Sequence, residues 1–320
     1  MKPYIKLADT RKLTHEEWLE YRKRGIGGSD AAAVLGLNPY TSAYAVYHEK
    51  LSLAEPFEGN DKTRLGSDLE EYVAKRFTEI MSERGTPLKV HRLNAILRSR
   101  DHPFMLADVD RMIVGENVGL ECKTTSNNDN YDFEAGEYPL YWRCQILHYM
   151  SVTGAKRWYL CVLDLYSGRV SVIEVVRDEA DIEALIAGER RFWKENIEKR
   201  VCPSPDGSAR NEEILKTKYP SSDDEQPPIG LMGYERELSE LAELKAKIKA
   251  LEMQEAAAEQ ILKEAIGTAS RGEYGPYAVS YKSTVSMRLD TKALKSELPE
   301  LYGRYAKPSE SRRFILTVKK

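Results

Sequence analysis

The chain has 320 residues with 48 Lys and Arg against 51 Asp and Glu, a formal net charge of -3. That length can bury a full core as one large or two modest domains, and the balance excludes a globally basic nucleic-acid binder, so any such contact must come from local patches. Four cysteines, Cys122, Cys144, Cys161 and Cys202, show no C-x-x-C spacing, which disfavours a zinc ribbon or a disulfide framework. They read as core thiols rather than cluster ligands. No apolar run approaches a membrane span and the N-terminus lacks a signal peptide, so a soluble, cytoplasmic chain is expected.

Residues 14–24 predict a helix with Thr14 as N-cap and Glu17 completing a capping box. Gly25-Ile26-Gly27-Gly28-Ser29-Asp30 breaks it, and a second helix begins near Ala31 with Ser29 or Asp30 as its cap. A Gly-rich turn feeding a helix offers free N–H groups to an anion, with Arg22 and Arg24 just upstream; the competing reading is a plain cap. Residues 41–51 read as a further helix after Asn38-Pro39. Residues 64–82 form a strongly amphipathic one with a stripe of Leu69, Val73, Phe77 and Ile80. Glu70 falls at the margin of that stripe, where a carboxylate needs a partner unless a small rotation exposes it.

Residues 88–98 predict a strand, and 104–114 with 117–125 a hairpin around Gly115-Glu116. With those two residues as the loop, Val114 faces Asn117 and Asp110 lies opposite Glu121, close enough for their charges to repel. Alternation puts Asp108 and Lys123 on the same face, and Val109, Ile113, Val118, Leu120 and Cys122 on the other. A one-residue slip would separate the two carboxylates. Such oxygens suit Mg²⁺ or Mn²⁺, and a neighbouring lysine can hold water or stabilise a phosphate. The alternative is a surface cross-strand ion pair.

A loop is expected over Asn127–Glu137, then a helix from Pro139 through Val152 with Tyr141, Trp142, Gln145, His148, Tyr149 and Val152 on one face. Gln145 among these aromatics is either an amide satisfied by backbone or a group that holds water or phosphate. Residues 157–164 and 169–176 predict a hairpin turning at Ser167-Gly168, and 178–199 a charged helix. The order describes an α/β core with a mixed sheet. Residues 203–230 hold Pro203, Pro205, Pro220, Pro227 and Pro228 and read as a linker or long loop. Residues 232–265 form a charged helix with Leu241, Leu244, Ile248, Leu251, Ala258 and Leu262 at coiled-coil spacing, interrupted by Glu255. Packing on its own or a neighbouring domain and a true coiled coil both fit that pattern. Tyr277 to Met287 alternates as a strand pair or an edge strand, and Pro299 to Lys320 ends basic.

The run Trp18 to Gly36 with Arg22 and Ile26-Gly27-Gly28-Ser29, then Gly66-x-x-x-Glu70, Asp110, Glu121-Cys122-Lys123 and Gln145, resembles the YqaJ-type phage recombinases. These are relatives of the phage lambda exonuclease within the PD-(D/E)xK nucleases. The likeness spans about residues 14–200. It implies a PD-(D/E)xK core with a central mixed β-sheet flanked by helices over residues 1–202. The stretch 203–230 would be the linker, and 231–320 a C-terminal helical and β extension. It implies that Asp110, Glu121 and the Cys122 carbonyl hold Mg²⁺ (or Mn²⁺), that Glu70 holds a second metal or its water, that Lys123 orients the water and Gln145 supports it. Arg22 and Ser29 resemble a 5′-phosphate pocket.

The expected activity is a metal-dependent DNA exonuclease, 5′→3′ on duplex ends, leaving a 3′ strand for a single-strand annealing recombinase. The expected setting is the bacterial cytoplasm, as a phage or prophage protein. A ring-like homotrimer is the expected assembly. An endonuclease on the same core, or a silent DNA-end scaffold, are the alternatives. Many relatives carry Pro-Asp-Gly where this chain has Asp108-Val109-Asp110-Arg111, which leaves Asp108 as a competing ligand. Where many have Glu-Pro it has Glu70-Glu71.

Overall fold

The computed structural model describes residues 2–55, 59–126, 131–307 and 311–318. The chain divides into two compact units, Met1–Lys218 and Tyr219–Lys320.

In the first unit a strand that the sequence reading leaves unassigned, β1 (Tyr4–Asp9), precedes helix α1 (His15–Arg22). The capping box of α1 is as expected: Glu17 N donates to Thr14 Oγ1 at 3.2 Å and Thr14 N to Glu17 Oε2 at 2.9 Å. Helix α2 (Gly28–Val34) has Gly27, not Ser29 or Asp30, as its N-cap residue. Asp30 reaches back instead, accepting Gly27 N at 2.9 Å. Helices α3 (Ala43–Lys50) and α4 (Asp61–Glu83) follow. The buried stripe of α4 is Val73, Ala74, Phe77 and Met81, with Leu69 packed against it. Met81 takes the position expected of Ile80, because the helix runs one step further round its core face.

The strand expected over 88–98 is two, β2 (Val90–His91) and β3 (Ala95–Ser99), broken where Asn94 takes φ +47°. The first hairpin arm is likewise two, β4 (Leu106–Asp108) and β5 (Arg111–Ile113), which join different sheets. One sheet is antiparallel, β1-β3-β4. The other is mixed, β2-β5-β6-β7-β8, with β6 (Gly119–Thr125), β7 (Arg157–Asp164) and β8 (Val170–Val176). Here β6 and β7 are parallel and the other pairs antiparallel. Between β6 and β7 the chain crosses over through α5 (Leu140–Thr153), the connection a parallel pair requires. Of the loop expected before it, residues 127–130 lie outside the described residues.

The β5–β6 register agrees with the sequence reading. Arg111 pairs with Leu120 and Ile113 N donates to Val118 O at 2.8 Å, with Gly115 at φ +84° in the turn. Continued outward, it brings Asp110 opposite Glu121. Ile113, Val118, Leu120 and Cys122 face α4 together with Tyr159, Cys161 and Leu163. Val109 does not join them. It packs in the cluster on the other face with Met112, Leu160 and Val162, since the break between β4 and β5 resets the alternation. That second face is covered by α5 and by α6 (Glu179–Phe192), which continues as a π-helical segment Trp193–Glu198.

Within the stretch expected as a linker, α7 (Ala209–Lys218) is a helix of the first unit. Ile214 is buried with Tyr44 and Ala45, and Ser42 Oγ lies 2.6 Å from Asn211 Oδ1. Cys144 and Cys161 are buried and Cys122 is half-buried, but Cys202 is exposed. In the second unit α8 (Glu235–Ile266) is followed by a two-stranded hairpin, β9 (Arg271–Tyr274) with β10 (Tyr277–Ser280), and by α9 (Thr291–Glu297) and α10 (Pro299–Tyr305). The strand expected to reach Met287 thus stops at Ser280, its partner lying upstream across Gly275. Among the described residues no helix is long and apolar enough to cross a membrane.

Candidate active site

Strand β6 presents Glu121 and Lys123 to α5, and α5 returns Gln145. Glu121 Oε1 accepts Lys123 Nζ at 2.6 Å and Gln145 Nε2 at 2.7 Å, while Gln145 Oε1 accepts Lys123 Nζ at 2.9 Å. The three side chains therefore close a ring of hydrogen bonds. Glu121 is 1% exposed, and its Oε2 is buried with no hydrogen-bond partner among the described residues. A buried carboxylate oxygen left bare is costly unless something positive meets it.

Asp110 stands beside this ring, its Oδ2 accepting Cys122 N at 3.0 Å. Burial, then the nearby Glu121 charge, pushes the Asp110 carboxyl well up, against the pull of Lys123. Burial also pushes Glu121 up, again opposed by Lys123. Burial would strip the proton from Lys123, but Glu121 and Asp110 outweigh it and hold the ammonium charged. Lys123 thus acts as a donor and a fixed positive charge. One buried and one half-buried carboxyl thus face a single lysine, and the bare Glu121 Oε2 is an oxygen that a cation could meet.

Glu70 approaches from α4. Its Oε1 is bonded by Arg111 Nη1 and lies 3.7 Å from Arg92 Nη2, while Arg111 Nη2 holds Glu71 Oε2 at 2.9 Å. Glu70 still contributes to raising both Asp110 and Glu121, so it lies within electrostatic reach of them. Asp108, the competing ligand expected from sequence, accepts Trp18 Nε1 at 2.7 Å and lies within electrostatic reach of Glu70 and Arg22. With Glu70 held by Arg111 and Asp108 by Trp18, no three His, Cys, Asp or Glu groups are gathered as a metal cluster among the described residues.

Arg22 and Ser29 come together nearby. Arg22 Nη2 donates to Ser29 Oγ at 2.9 Å and to Asp30 Oδ1 at 3.0 Å, and its guanidinium lies 5.0 Å from the Trp18 ring centroid. Lys50 Nζ holds the other oxygen, Asp30 Oδ2, at 2.6 Å. Burial works to raise Asp30, but Lys50 and Arg22 hold it below the usual carboxylate range. Arg22 and Lys50 thus flank the Asp30 carboxylate directly, and Glu49, paired with Arg210 Nη2 at 3.2 Å, brings a second carboxylate within electrostatic reach of both. The Ile26 backbone anchors this cluster, donating to Phe104 O at 2.7 Å and accepting Leu106 N at 2.8 Å.

Residues 17–156 match the YqaJ-like viral recombinase domain. The chain is 36% identical over 312 residues to the uncharacterized protein YqaJ of Bacillus subtilis, covering 96% of each. It belongs to the YqaJ-like viral recombinase family. Among solved structures, an alkaline exonuclease from Laribacter hongkongensis, LHK-Exo in complex with dAMP, is similar at 19% identity and a TM-score of 0.47. That likeness covers 63% of this chain and 97% of the other. A phage-related exonuclease from Haemophilus somnus is similar at 14% identity and a TM-score of 0.40, over 55% of this chain and 96% of the other.

In this YqaJ-like chain the residues singled out from sequence fall into two groups: Asp110, Glu121, Lys123 and Gln145 in one, Arg22 and Ser29 in the other. Glu70 lies beside the first, in the grip of Arg111. Sequence reasoning misses Arg111, Asp30, Lys50 and Tyr149 as members. Arg111 had a signal: it lies between Val109 and Ile113 on the hairpin's apolar face, where a charge must be paired. It is 3% exposed and serves the carboxylate that lacked a partner. Asp30 and Lys50 gave no such signal, because they belong to separate helices and meet only in the fold.

Proposed function

We propose that the chain is a metal-dependent deoxyribonuclease, an exonuclease working 5′→3′ on duplex ends to leave a 3′ single strand for an annealing recombinase. The observation that carries this reading is Glu121: one oxygen held by Lys123 and Gln145, the other buried and bare beside Asp110. Asp110, Glu121 and the Cys122 carbonyl would hold Mg²⁺, with Mn²⁺ able to substitute. When bound, the ion supplies a Lewis acid that lowers the pKa of water and neutralises charge on the scissile phosphate. Lys123, kept charged, donates to the attacking water or to a phosphate oxygen. Gln145 fixes the lysine's direction by accepting from it while donating to Glu121. Glu70, released by Arg111, could orient water from the opposite side.

Arg22 and Ser29 are proposed to grip the terminal 5′-phosphate. Arg22 supplies a charge-assisted donor that Trp18 and Asp30 hold in place. A ring-like homo-oligomer and a cytoplasmic setting fit the same reading.

The test is digestion of linear and covalently closed circular duplex DNA with Mg²⁺ and with EDTA. Loss of the linear substrate alone, only with Mg²⁺, is expected. Cutting of the closed circle would make the chain an endonuclease. Binding to ends without hydrolysis in either buffer would make it a scaffold.

A further inference from the structure

Helix α8 runs for 32 residues, about 48 Å at the α-helical rise, and none of its residues is buried. Leu244 is 53% exposed, Ile248 53% and Leu251 62%. A helix this long with an apolar stripe facing water gains most of its stability only when that stripe is covered. With Leu241 at heptad position a, Leu244 and Leu251 occupy d, Ile248 and Leu262 occupy a, and Ala258 and Ala265 continue d. Glu255 is the one charged a position from Leu241 onward.

The flanking charges say what covers the stripe. Glu240 and Lys247 occupy g, and Lys245 and Glu252 occupy e. In a parallel, in-register pair each g side chain meets the e side chain five places on in its partner. Glu240 then meets Lys245 of the other copy and Lys247 meets Glu252, four opposite-charge contacts per pair of helices. An antiparallel pair that matches Leu241 with Leu251 and Leu244 with Ile248 instead sets Lys245 against Lys245 and Lys247 against Lys247. Sliding the antiparallel pair to avoid this buries Glu255 against Leu244 or Leu251. We propose that α8 pairs in parallel and in register with α8 of a second copy of this chain. Leu241, Leu244, Ile248 and Leu251 form its apolar layers, and Glu255 marks a weakened layer after them.

The test uses the full chain with Cys202→Ser, which removes the exposed thiol; Cys144 and Cys161 are buried and Cys122 half-buried. Leu244→Cys places a thiol at a d position, where parallel in-register pairing sets it against itself. Under mild oxidation this variant should become a disulfide-linked dimer, and Met253→Cys, at the outward f position, should not. Lys245→Glu added to Leu244→Cys should slow linkage about tenfold, and Glu240→Lys in the same chain should restore it, because the swap recreates the opposite-charge contacts. The proposal is overturned if Leu244→Cys stays monomeric, which is the outcome if α8 packs on its own chain or on another protein. It is also overturned if Met253→Cys links as fast, or if the charge swap fails to restore the rate.

Discussion

Gly28 lies flat against the ring of Tyr149. A Cβ at position 28 would sit 2.5 Å from Tyr149 Cε1 and 3.1 Å from Gln145 Cγ. Tyr149 Oη in turn takes a hydrogen bond from Gln145 Nε2 at 3.2 Å. The helix carrying Ser29 and the helix carrying Gln145 therefore touch through a residue that can have no side chain. Gly28→Ala should displace the Tyr149 ring and tilt Gln145 from Lys123. We expect a stability loss of about 1–3 kcal/mol, typical of overpacking, and a turnover loss larger than that cost accounts for. Thermal melting and Mg²⁺-dependent digestion of linear DNA, measured together, check this. A variant that melts lower yet digests normally would break the link.

Asp110→Ala, Glu121→Ala and Lys123→Ala should each lower DNA hydrolysis about a hundredfold or more while leaving the chain folded, since each removes charge from the reacting centre. Near-normal turnover by any one of them under saturating Mg²⁺ would remove that residue from the assignment. Arg111→Met should behave differently. It leaves Glu70 and Glu71 to Arg92 alone and removes a buried cation that bonds both, so a drop in melting temperature should accompany its loss of activity.

Arg22→Ala should slow digestion of 5′-phosphorylated ends much more than of 5′-hydroxyl ends, narrowing the gap between the two substrates. An equal slowing of both would make Arg22 a general backbone contact or a structural residue that keeps Asp30 neutralised.

His148 and Glu189 form a fully buried pair, Nδ1 to Oε1 at 2.8 Å, with His148 Nε2 2.7 Å from Leu106 O. Burial would lower His148, but the Glu189 charge raises it above its ordinary value. Burial raises Glu189 despite His148. Both shifts have one sign for stability: the native chain keeps protons that the unfolded chain has released. The Glu189 contribution is full below the ordinary carboxylate pKa of about 4.3 and the His148 contribution below the ordinary imidazole value of about 6.5, and each is lost as pH rises through that group's own raised folded value. Wild type should therefore lose more melting temperature between about pH 5 and pH 8 than a His148→Gln, Glu189→Gln chain does. Parallel profiles would mean that the pair does not titrate in that range.

Much of this is legible in the sequence, and the limits are physical. The Asp110–Glu121 opposition follows from a two-residue turn and strict alternation, both local rules. The Thr14 cap and the β7–β8 hairpin are local in the same way. Val109 escaped because alternation holds only within an unbroken strand, and the chain changes sheets there. The α7 helix escaped because Pro and Ser near it signal loop, whereas what makes it helical is Ile214 and Asn211 meeting α3, far back in the chain.

That last contact gives a further expectation. A chain ending after Lys218 should fold with its first unit intact. One ending after Cys202 should lose the burial of Ile214, worth about 1.5–3 kcal/mol, and leave Tyr44 and Ala45 open to water. Melting and gel filtration of the two truncations distinguish them; equal stability would return residues 203–218 to the linker.

Each group of the candidate site is closed by contacts that are short along the chain, whereas the contact that ties the Arg22 group to the strands is long. Lys123 and Gln145 are 22 positions apart and belong to a single β6–α5–β7 crossover. Trp18 and Asp108 are 90 apart. Closing a longer loop costs more entropy before any contact repays it. Each group can therefore assemble from its own neighbourhood, and the docking of the proposed end-gripping group against the proposed hydrolytic one comes later. A destabilised chain would be expected to lose its preference for 5′-phosphorylated ends before it loses the ability to cut.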